Sequence, residues 1–285
     1  MIVVTGANGH LGRGVVEALT TRVPPSKIAA AVRDPARAEA LAARGVAVRA
    51  ADFADPASLL AAFSGAEQVL IVSVDRLGEE GRRLHRAAID AARAAGAGRV
   101  LYTSHMGTHA ASPFSDHFAA EAVLAGGGPF TALRHGFYAE SALHLIGRGF
   151  DLGEIRAPED GPVSWTARAD LAEADAAILA GEGRFDGVSP PLTAPEAFTM
   201  ADLAAIASEI TGREVRRVVE TDDAWREGAV ARGVPAPMAD ALLAMYRAAR
   251  RGDFAATDPA LGQLLERRPR TMRDVLAGLL GPAKS

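Results

Sequence analysis

The chain has 285 residues and a formal net charge of −4, with 49% hydrophobic residues and no cysteine. This apolar fraction is ordinary for a globular protein and argues against disorder, and the weak negative charge gives no general attraction to nucleic acid or anionic membranes. The lack of cysteine excludes disulfides, thiolate catalysis and cysteine-ligated zinc. No basic segment followed by an apolar core opens the sequence, and no run reaches about 18 apolar residues. We therefore expect a soluble, cytoplasmic protein.

The first predicted strand is the apolar run at residues 2–5, which is long enough for a buried strand and too short for a helix. Gly6, Gly9 and Gly12 follow with the spacing Gly-x-x-Gly-x-x-Gly, and residues 13–20 have helical periodicity. This order predicts the opening of a dinucleotide-binding βαβ unit, in which the glycines allow a tight turn, close approach of the pyrophosphate and close helix packing. The helix N-terminus adds unpaired N–H groups for the phosphates. A tight βα turn without a nucleotide is the alternative.

The second predicted strand, residues 28–32, is followed by Arg33, about 20 residues after Gly12. An acidic residue at this point suits the ribose 2′-hydroxyl of NAD, whereas an arginine suits the 2′-phosphate of NADP. Asp34 adjoins Arg33 and could bond the hydroxyl, but Asp34 followed by Pro35 is also typical of a helix N-cap. The sequence therefore favours NADPH over NADH.

Helices and strands then alternate. The predicted helices cover residues 36–44, 56–63, 81–95 and 115–124, and the further predicted strands cover 46–50, 69–72, 100–103 and 130–133. Six strands alternating with helices predict an α/β fold with right-handed crossovers, which is a parallel, doubly wound sheet of the Rossmann type. Ligands of such sheets lie outside the carboxyl ends of the strands.

The predicted cofactor contacts lie at these strand ends. Phe53 could stack on adenine, with Asp52 reaching its exocyclic amine, although a core aromatic behind the strand is an equally ordinary interpretation of Phe53. The predicted cofactor-binding residues are Gly6, Asn8, Gly9, His10, Leu11, Gly12, Arg33, Asp52, Phe53, Ser73, Val74 and Ser104.

The pattern changes beyond Tyr138. Short predicted strands at residues 163–165 and 216–219 alternate with predicted helices at 168–179, 200–211, 222–232, 238–251 and 271–280. We therefore predict an NAD(P)-binding Rossmann domain at 1–150 and a smaller, mostly helical, substrate-covering lobe at 151–285. Strands from this lobe could return to the main sheet.

Several motifs resemble those of NmrA-like atypical short-chain dehydrogenases/reductases, in particular the type-2 NAD(P)H:quinone oxidoreductases. They are TGANGHLG at 5–12, VRDP at 32–35, ADF at 51–53, YTS at 102–104, HxxxE at 117–121, LRHGFYAE at 133–140 and ARADL at 167–171. The resemblance implies NADPH bound by the Gly6 loop and Arg33, with a quinone-like acceptor over the nicotinamide. His135 and Ser141 depart from it, since such sequences usually have asparagine at both positions. The identity of the substrate therefore stays open.

The tyrosine–lysine pair of typical short-chain reductases is missing, because none of the three tyrosines has a lysine four residues later. Alcohol–ketone chemistry needs a strong, positioned acid and loses its main catalyst. Reduction of an electron-poor quinone leaves an anionic oxygen that water or a nearby histidine can protonate. The cofactor supplies the hydride, and the protein has chiefly to position two rings and exclude water.

The predicted catalytic residues are His117 and Tyr138. An imidazole titrates near neutral pH, which suits His117 as a proton donor or quinone ligand; the alternative is a histidine at the helix start that pairs with Glu121 one turn later. Tyr138 could contact the quinone face or be an ordinary core residue. No metal is predicted, since no paired ligand spacing on one helix supports one. The predicted substrate contacts are His105, His135, Phe137 and Ser141.

The sequence thus predicts an NADPH-dependent reductase that transfers hydride to a quinone or a similar electron-poor small molecule. One alternative is a non-catalytic NAD(P) redox sensor of the NmrA-like type that reports to a protein partner. Another is a reductase or isomerase of a specialised metabolite, suggested by His135 and Ser141. The expected partner is the small-molecule substrate; a homodimer is compatible with the sequence, and neither nucleic acid nor membrane is expected.

Overall fold

The computed structural model describes residues 1–76, 78–146, 148–181 and 185–281. Tertiary contacts divide them into two units. The first unit comprises residues 1–135, 168–192 and 260–267, and the second comprises 136–167, 193–259 and the described residues from 268 onward. This division differs from a single boundary at residue 150, because the chain returns twice to the first unit after it has entered the second.

The described residues form strands of two to seven residues and α-helices of four to seventeen residues. The strands are β1 (Ile2–Thr5), β2 (Ile28–Val32), β3 (Ala47–Ala50), β4 (Gln68–Ile71), β5 (Arg99–His105), β6 (Phe130–His135), β7 (Glu154–Pro158), β8 (Gly187–Val188) and β9 (Arg216–Glu220). The α-helices are α1 (His10–Leu19), α2 (Glu39–Ala42), α3 (Pro56–Phe63), α4 (Gly78–Ala94), α5 (Ser115–Ala125), α6 (Ala142–Ile146), α7 (Gly149–Leu152), α8 (Arg168–Ala180), α9 (Met200–Thr211), α10 (Asp222–Ala231), α11 (Ala236–Arg250), α12 (Ala260–Leu265) and α13 (Met272–Leu280). Short 3-10 turns cover Pro25–Lys27, Pro35–Ala38 and Ala139–Ser141.

The first unit is built on a seven-stranded sheet with the order β3-β2-β1-β4-β5-β6-β8. Every neighbouring pair in it is parallel. From β1 the chain adds β2 and β3 on one side of the sheet and the later strands, beginning with β4, on the other, so the strand order reverses between β1 and β4. Ligands of doubly wound sheets bind at such a point. The predicted doubly wound parallel sheet is confirmed. Its last strand, β8, comes from the part of the chain after residue 150.

One face of this sheet carries a hydrophobic core that its helices complete. Leu59 and Phe63 of α3 and Ile89 of α4 pack with strand residues such as Ile71, and all four are fully buried. The β2 sequence Ile-Ala-Ala-Ala-Val is buried throughout, as expected for a parallel strand covered on both faces. Elsewhere in the unit, α1 packs against α8.

The second unit holds a two-stranded parallel sheet of β7 and β9, and α6, α7, α9 and α10 pack on it. The predicted strand at 163–165 is wrong. Val163 makes only an isolated antiparallel bridge to Phe198, because Ser164 bonds instead to the carbonyl oxygen of Phe254 at 2.8 Å. In the part of the chain that the structure describes, no helix is both long and apolar enough to cross a membrane.

Candidate active site

The turn after β1 is shaped by its glycines. Gly6 has a φ of 62°, a left-handed conformation that favours glycine, and its carbonyl oxygen accepts a 2.8 Å hydrogen bond from the Gly9 N–H. A Cβ atom added at Gly12 would lie only 2.5 Å from that same oxygen. Glycine at both positions therefore lets the chain turn sharply and lets α1 approach the end of β1.

The start of α1 exposes backbone N–H groups. Its N-cap is Gly9, which makes no side-chain cap, and no acidic residue lies in the first turn. His10 is exposed and Leu11 is buried. Asn8 donates from Nδ2 to the backbone oxygen of Asp34 at 2.8 Å, while its buried Oδ1 has no hydrogen-bond partner in the protein. The turn thus offers uncapped donors and one unsatisfied acceptor.

Arg33 lies at the end of β2 with an exposed side chain. The neighbouring Asp34 carboxylate accepts a hydrogen bond from the Ala36 N–H at 3.1 Å and caps the following 3-10 turn. The capping interpretation of Asp34 is therefore confirmed. The Arg33 side chain is thus exposed at this strand end, and its contact with a 2′-phosphate stays a prediction.

At the end of β3, Asp52 is exposed and its Oδ1 accepts from the Ala54 N–H at 2.9 Å. Phe53 is partly buried against the core below the sheet. This packing agrees with the core interpretation of Phe53. The predicted adenine contacts of both residues stay predictions.

Side chains of β5 and α4 hold the segment after β4. Thr103 Oγ1 accepts from the Ser73 N–H at 2.8 Å, and His85 Nε2 accepts from the Val74 N–H at 3.1 Å. Ser73 and Val74 are half-buried beside the glycine turn's strand, since β1 and β4 are neighbours. Their backbone is therefore fixed, and their cofactor contacts stay predictions.

Three side chains from different elements form a hydrogen-bonded cluster, which we call the relay: His85 of α4, Tyr102 of β5 and His117 of α5. Tyr102 Oη lies 2.8 Å from His117 Nδ1 and 3.2 Å from His85 Nδ1. Tyr102 is 0% and His85 1% exposed, whereas His117 is half-buried. Sequence reasoning missed His85 and dismissed Tyr102 for want of a lysine. The signal for His85 was a polar residue among buried positions such as Leu84 and Ala88.

The alternative interpretation of His117, a pair with Glu121 one turn later, is wrong. Glu121 instead accepts two hydrogen bonds from the Arg134 guanidinium, at 2.9 and 2.7 Å, and one from Ser104 Oγ at 2.7 Å. The hydrogen bond with Glu121 raises the pKa of Arg134. Because this bidentate, charge-assisted pair uses both carboxylate oxygens, it outcompetes a helix-neighbour contact with a neutral histidine. Ser104 is buried, and its cofactor role stays a prediction.

Burial keeps the histidines of this region neutral. Desolvation lowers the pKa of His85 to about 4 and that of His117 to about 3; the positive charge that His85 or His135 would carry lowers the latter further, and a hydrogen bond with the backbone of Thr103 opposes the change. Burial and the same kind of repulsion hold the pKa of His105 well below its ordinary value. At neutral pH, His117 is therefore an N–H donor and not an imidazolium acid.

The two predicted substrate contacts in the first unit, His105 and His135, are also enclosed. The His105 ring stacks on Phe114 at 3.9 Å, and its Nδ1 accepts from the Gly107 N–H at 3.1 Å. His135 is 1% exposed and its Nε2 lies 2.8 Å from Asp175 Oδ1. Burial raises the pKa of Asp175, against the lowering effect of His135. Both substrate roles stay predictions. No three acidic, histidine or cysteine side chains among the described residues are placed to hold a metal ion.

Phe137, Tyr138 and Ser141 belong to the second unit. The Phe137 ring packs edge-on against Trp165 at 5.2 Å and Phe254 at 5.5 Å. Tyr138 is half-buried and starts a 3-10 turn in which its carbonyl oxygen accepts from the Ser141 N–H at 2.9 Å. The predicted catalytic role of Tyr138 and the substrate contacts of Phe137 and Ser141 stay predictions.

Comparisons with known proteins agree with this geometry. A sequence model of the NmrA-like family matches residues 1–268. Quinone oxidoreductase 2 of Escherichia coli (strain K12) is 35% identical over 98% of this chain and 98% of that protein. The crystal structure of an NADPH-dependent quinone oxidoreductase from E. coli complexed with NADPH superposes with a TM-score of 0.91 at 33% identity, covering 99% of this chain and 100% of that one.

The crystal structure of a triphenylmethane reductase from Citrobacter sp. complexed with NADP(H) is also similar, with a TM-score of 0.88 and 30% identity over 98% of this chain and 99% of that one. The family match spans most of the chain, and the E. coli relative is similar over nearly all of it. Together with the glycine turn after β1, these similarities establish that the chain belongs to the NmrA-like family.

Proposed function

We propose that this protein is an NADPH-dependent reductase that transfers hydride to a quinone or a similar electron-poor small molecule. The observation that carries the proposal is the uncapped N-terminus of α1 behind the glycine turn, where Gly12 lies against Gly6. Helix starts of this kind bind phosphate groups through backbone N–H donors and the helix dipole. The similarity to the quinone oxidoreductase of E. coli and to the triphenylmethane reductase of Citrobacter sp. supports the same activity.

The residues present fit NADPH. The N–H groups at the start of α1 would hold the pyrophosphate, the unpartnered Oδ1 of Asn8 would accept from the nucleotide, and the exposed Arg33 guanidinium would bind the 2′-phosphate. Asp34 Oδ1 already accepts the capping bond of the following turn. When bound, the cofactor supplies the hydride.

The protein's own part is to position the acceptor, exclude water and provide a proton. We propose His117 as the donor, through a ring N–H, because it is the member of the relay that is not fully buried. We keep Tyr138 as a contact of the acceptor ring, with His105, His135, Phe137 and Ser141 as further substrate contacts. We expect a cytoplasmic enzyme with a small-molecule partner, as a monomer or a homodimer.

The test is turnover. Purified protein is mixed with NADPH or NADH and a panel of benzoquinones, naphthoquinones and a triphenylmethane dye, and the loss of nicotinamide absorbance is followed. We expect turnover of at least one quinone and a preference for NADPH. Turnover no faster than the uncatalysed rate with every acceptor would overturn the proposal, and tight NADP binding without turnover would favour a redox sensor.

A further inference from the structure

The directions of the hydrogen bonds in the relay can be assigned from one backbone contact. The Val74 N–H, which can only donate, points at His85 Nε2 from 3.1 Å. That nitrogen must therefore be an acceptor, and a neutral imidazole then carries its proton on the other nitrogen, Nδ1. His85 Nδ1 lies 3.2 Å from Tyr102 Oη, so His85 donates to the tyrosine oxygen.

The next bond follows from the first. Since Tyr102 Oη accepts from His85, its own proton is available to His117 Nδ1 at 2.8 Å. His117 then accepts at Nδ1 and carries its proton at Nε2, which must therefore also be the N–H of its hydrogen bond with the Thr103 backbone. All three bonds run in one direction, from Val74 through His85 and Tyr102 to His117. The relay ends at the only one of its three side chains that is not fully buried.

We propose that Tyr102 is the proton reserve of the proposed reduction and acts through His117, with His85 positioning its hydroxyl. As the anionic oxygen of the reduced acceptor takes the proton from His117 Nε2, the Tyr102 hydroxyl proton moves to His117 Nδ1, so the imidazole stays neutral. The negative charge comes to rest on the Tyr102 oxygen, held by the His85 N–H. A proton from water then enters at His117 Nε2, and the Nδ1 proton returns to Tyr102.

The proton from Tyr102 is needed because His117 is neutral at physiological pH. Burial lowers the pKa of His117 to about 3, so at neutral pH the ring has no spare proton, and giving up Nε2–H alone would leave an imidazolate. The groups that face it cannot help by charging, because His85 from α4, His105 from β5 and His135 from β6 would each repel a cation there. The hydroxyl of Tyr102 is the neighbouring group with a proton to give.

The assignment can be tested without turnover. In protein labelled with ¹⁵N in histidine, the His117 ring should show a protonated Nε2 and an unprotonated Nδ1 at pH 7, and His85 should show the reverse; His117→Gln and His85→Gln identify the signals. A His117 ring protonated at Nδ1 would overturn the relay even if the enzyme reduces quinones. The expected tautomers would support it even if no acceptor is found and the proposed function fails.

The functional test uses two matched substitutions of buried tyrosines. Tyr102→Phe removes the proton reserve, whereas Tyr246→Phe makes the same change in the second unit, where the hydroxyl is 3.5 Å from its nearest partner, the Leu145 carbonyl. With a methyl-substituted quinone, whose anion is basic, Tyr102→Phe should lower kcat about 10- to 100-fold. With tetrachlorobenzoquinone, whose anion is weakly basic, the loss should shrink to about threefold or less, and Tyr246→Phe should change neither rate.

A loss of the same size with both quinones would indicate a merely structural role for Tyr102 and overturn the proposal. So would unchanged kcat with the methyl-substituted quinone. If Tyr102→Phe fails to fold, the tautomers of the wild-type protein still decide between the two bond directions.

Discussion

Helices α1 and α9 begin in opposite ways. At α9, Thr199 Oγ1 accepts from the Asp202 N–H at 3.3 Å, and the Asp202 carboxylate accepts from the Thr199 N–H at 2.8 Å, which is a reciprocal capping box. At α1, the N-cap is Gly9, which has no side chain that could cap the helix. The first turn of α1 also contains no acidic residue. The second unit's α13 repeats the α9 solution with Thr271 and Asp274.

The two helix starts differ in what satisfies their first backbone N–H groups. A capping box satisfies the first N–H groups within the helix and stabilises it by about 1 kcal/mol. The start of α1 lacks that contribution, and we propose that its donors bind an anion. If this is right, a cap introduced at α1 should harm binding and not stability, whereas a cap removed at α9 should harm stability and not binding.

The largest effect is expected from Gly9→Asp. The new carboxylate can cap α1 from the extended φ of −83° that Gly9 has, and it places a negative charge where the phosphates would bind. NADPH should bind at least about 100-fold more weakly, measured by calorimetric titration, while the melting temperature stays the same or rises. Gly9→Ala is the matched control for the added Cβ, which would lie 3.2 Å from the Gly6 oxygen. Affinity within threefold of wild type for Gly9→Asp would contradict the comparison.

Arg33→Asp should have the next largest effect, because it removes the contact that we propose for the other end of the same nucleotide. Losing a charge-assisted bond to the 2′-phosphate should weaken NADPH about 10- to 100-fold and leave NADH nearly unchanged, as fluorescence titrations with both nucleotides would show. Arg22→Asp, an exposed residue beyond the other end of α1, serves as the control for net charge. Equal weakening of both nucleotides would mean that Arg33 does not recognise the 2′-phosphate.

Thr199→Ala reverses the experiment at α9. Loss of the cap should lower the free energy of unfolding by about 1 kcal/mol, measured by urea denaturation, with NADPH affinity unchanged. Thr21→Ala, an exposed threonine whose hydroxyl bonds only within its own turn to the Ala18 carbonyl, is the control. A stability equal to wild type would show that the capping box is dispensable.

The smallest expected effect is on the stability of α13 at low pH, through the carboxylate of Asp274. The hydrogen bond with Thr271 holds the pKa of Asp274 below its ordinary value, so the ionised carboxylate stabilises α13. This contribution is complete at neutral pH and is lost only as the pH falls below about 4, through the lowered pKa of the folded state. Asp274→Asn should lower the free energy of unfolding by a few tenths of a kcal/mol at both pH 7 and pH 5, measured by the same urea denaturation. A difference that already disappears between these two pH values would contradict this assignment.

Local features were predictable from the sequence. The strand at 28–32 and the helices at 56–63 and 200–211 have the predicted bounds, because apolar periodicity and residues such as Pro56 and Thr199 act within a few positions of the chain. Motif order was also sufficient to place the chain in its family. The strand predicted at 163–165 failed because Val163 and Ser164 bond to segments that lie far along the chain.

The residues of the proposed nucleotide site could be recognised in the sequence alone. The glycine spacing at residues 6–12 and the arginine after β2 are set by backbone conformation and neighbouring residues, so they can be recognised before the chain folds. The partner of each buried polar side chain, in contrast, follows only from the folded structure. His117 bonds to Tyr102 and not to Glu121, and Glu121 bonds to Arg134, because removal from water makes the strongest available hydrogen bond decisive. Which groups compete for that bond is known only once the strands and helices have packed.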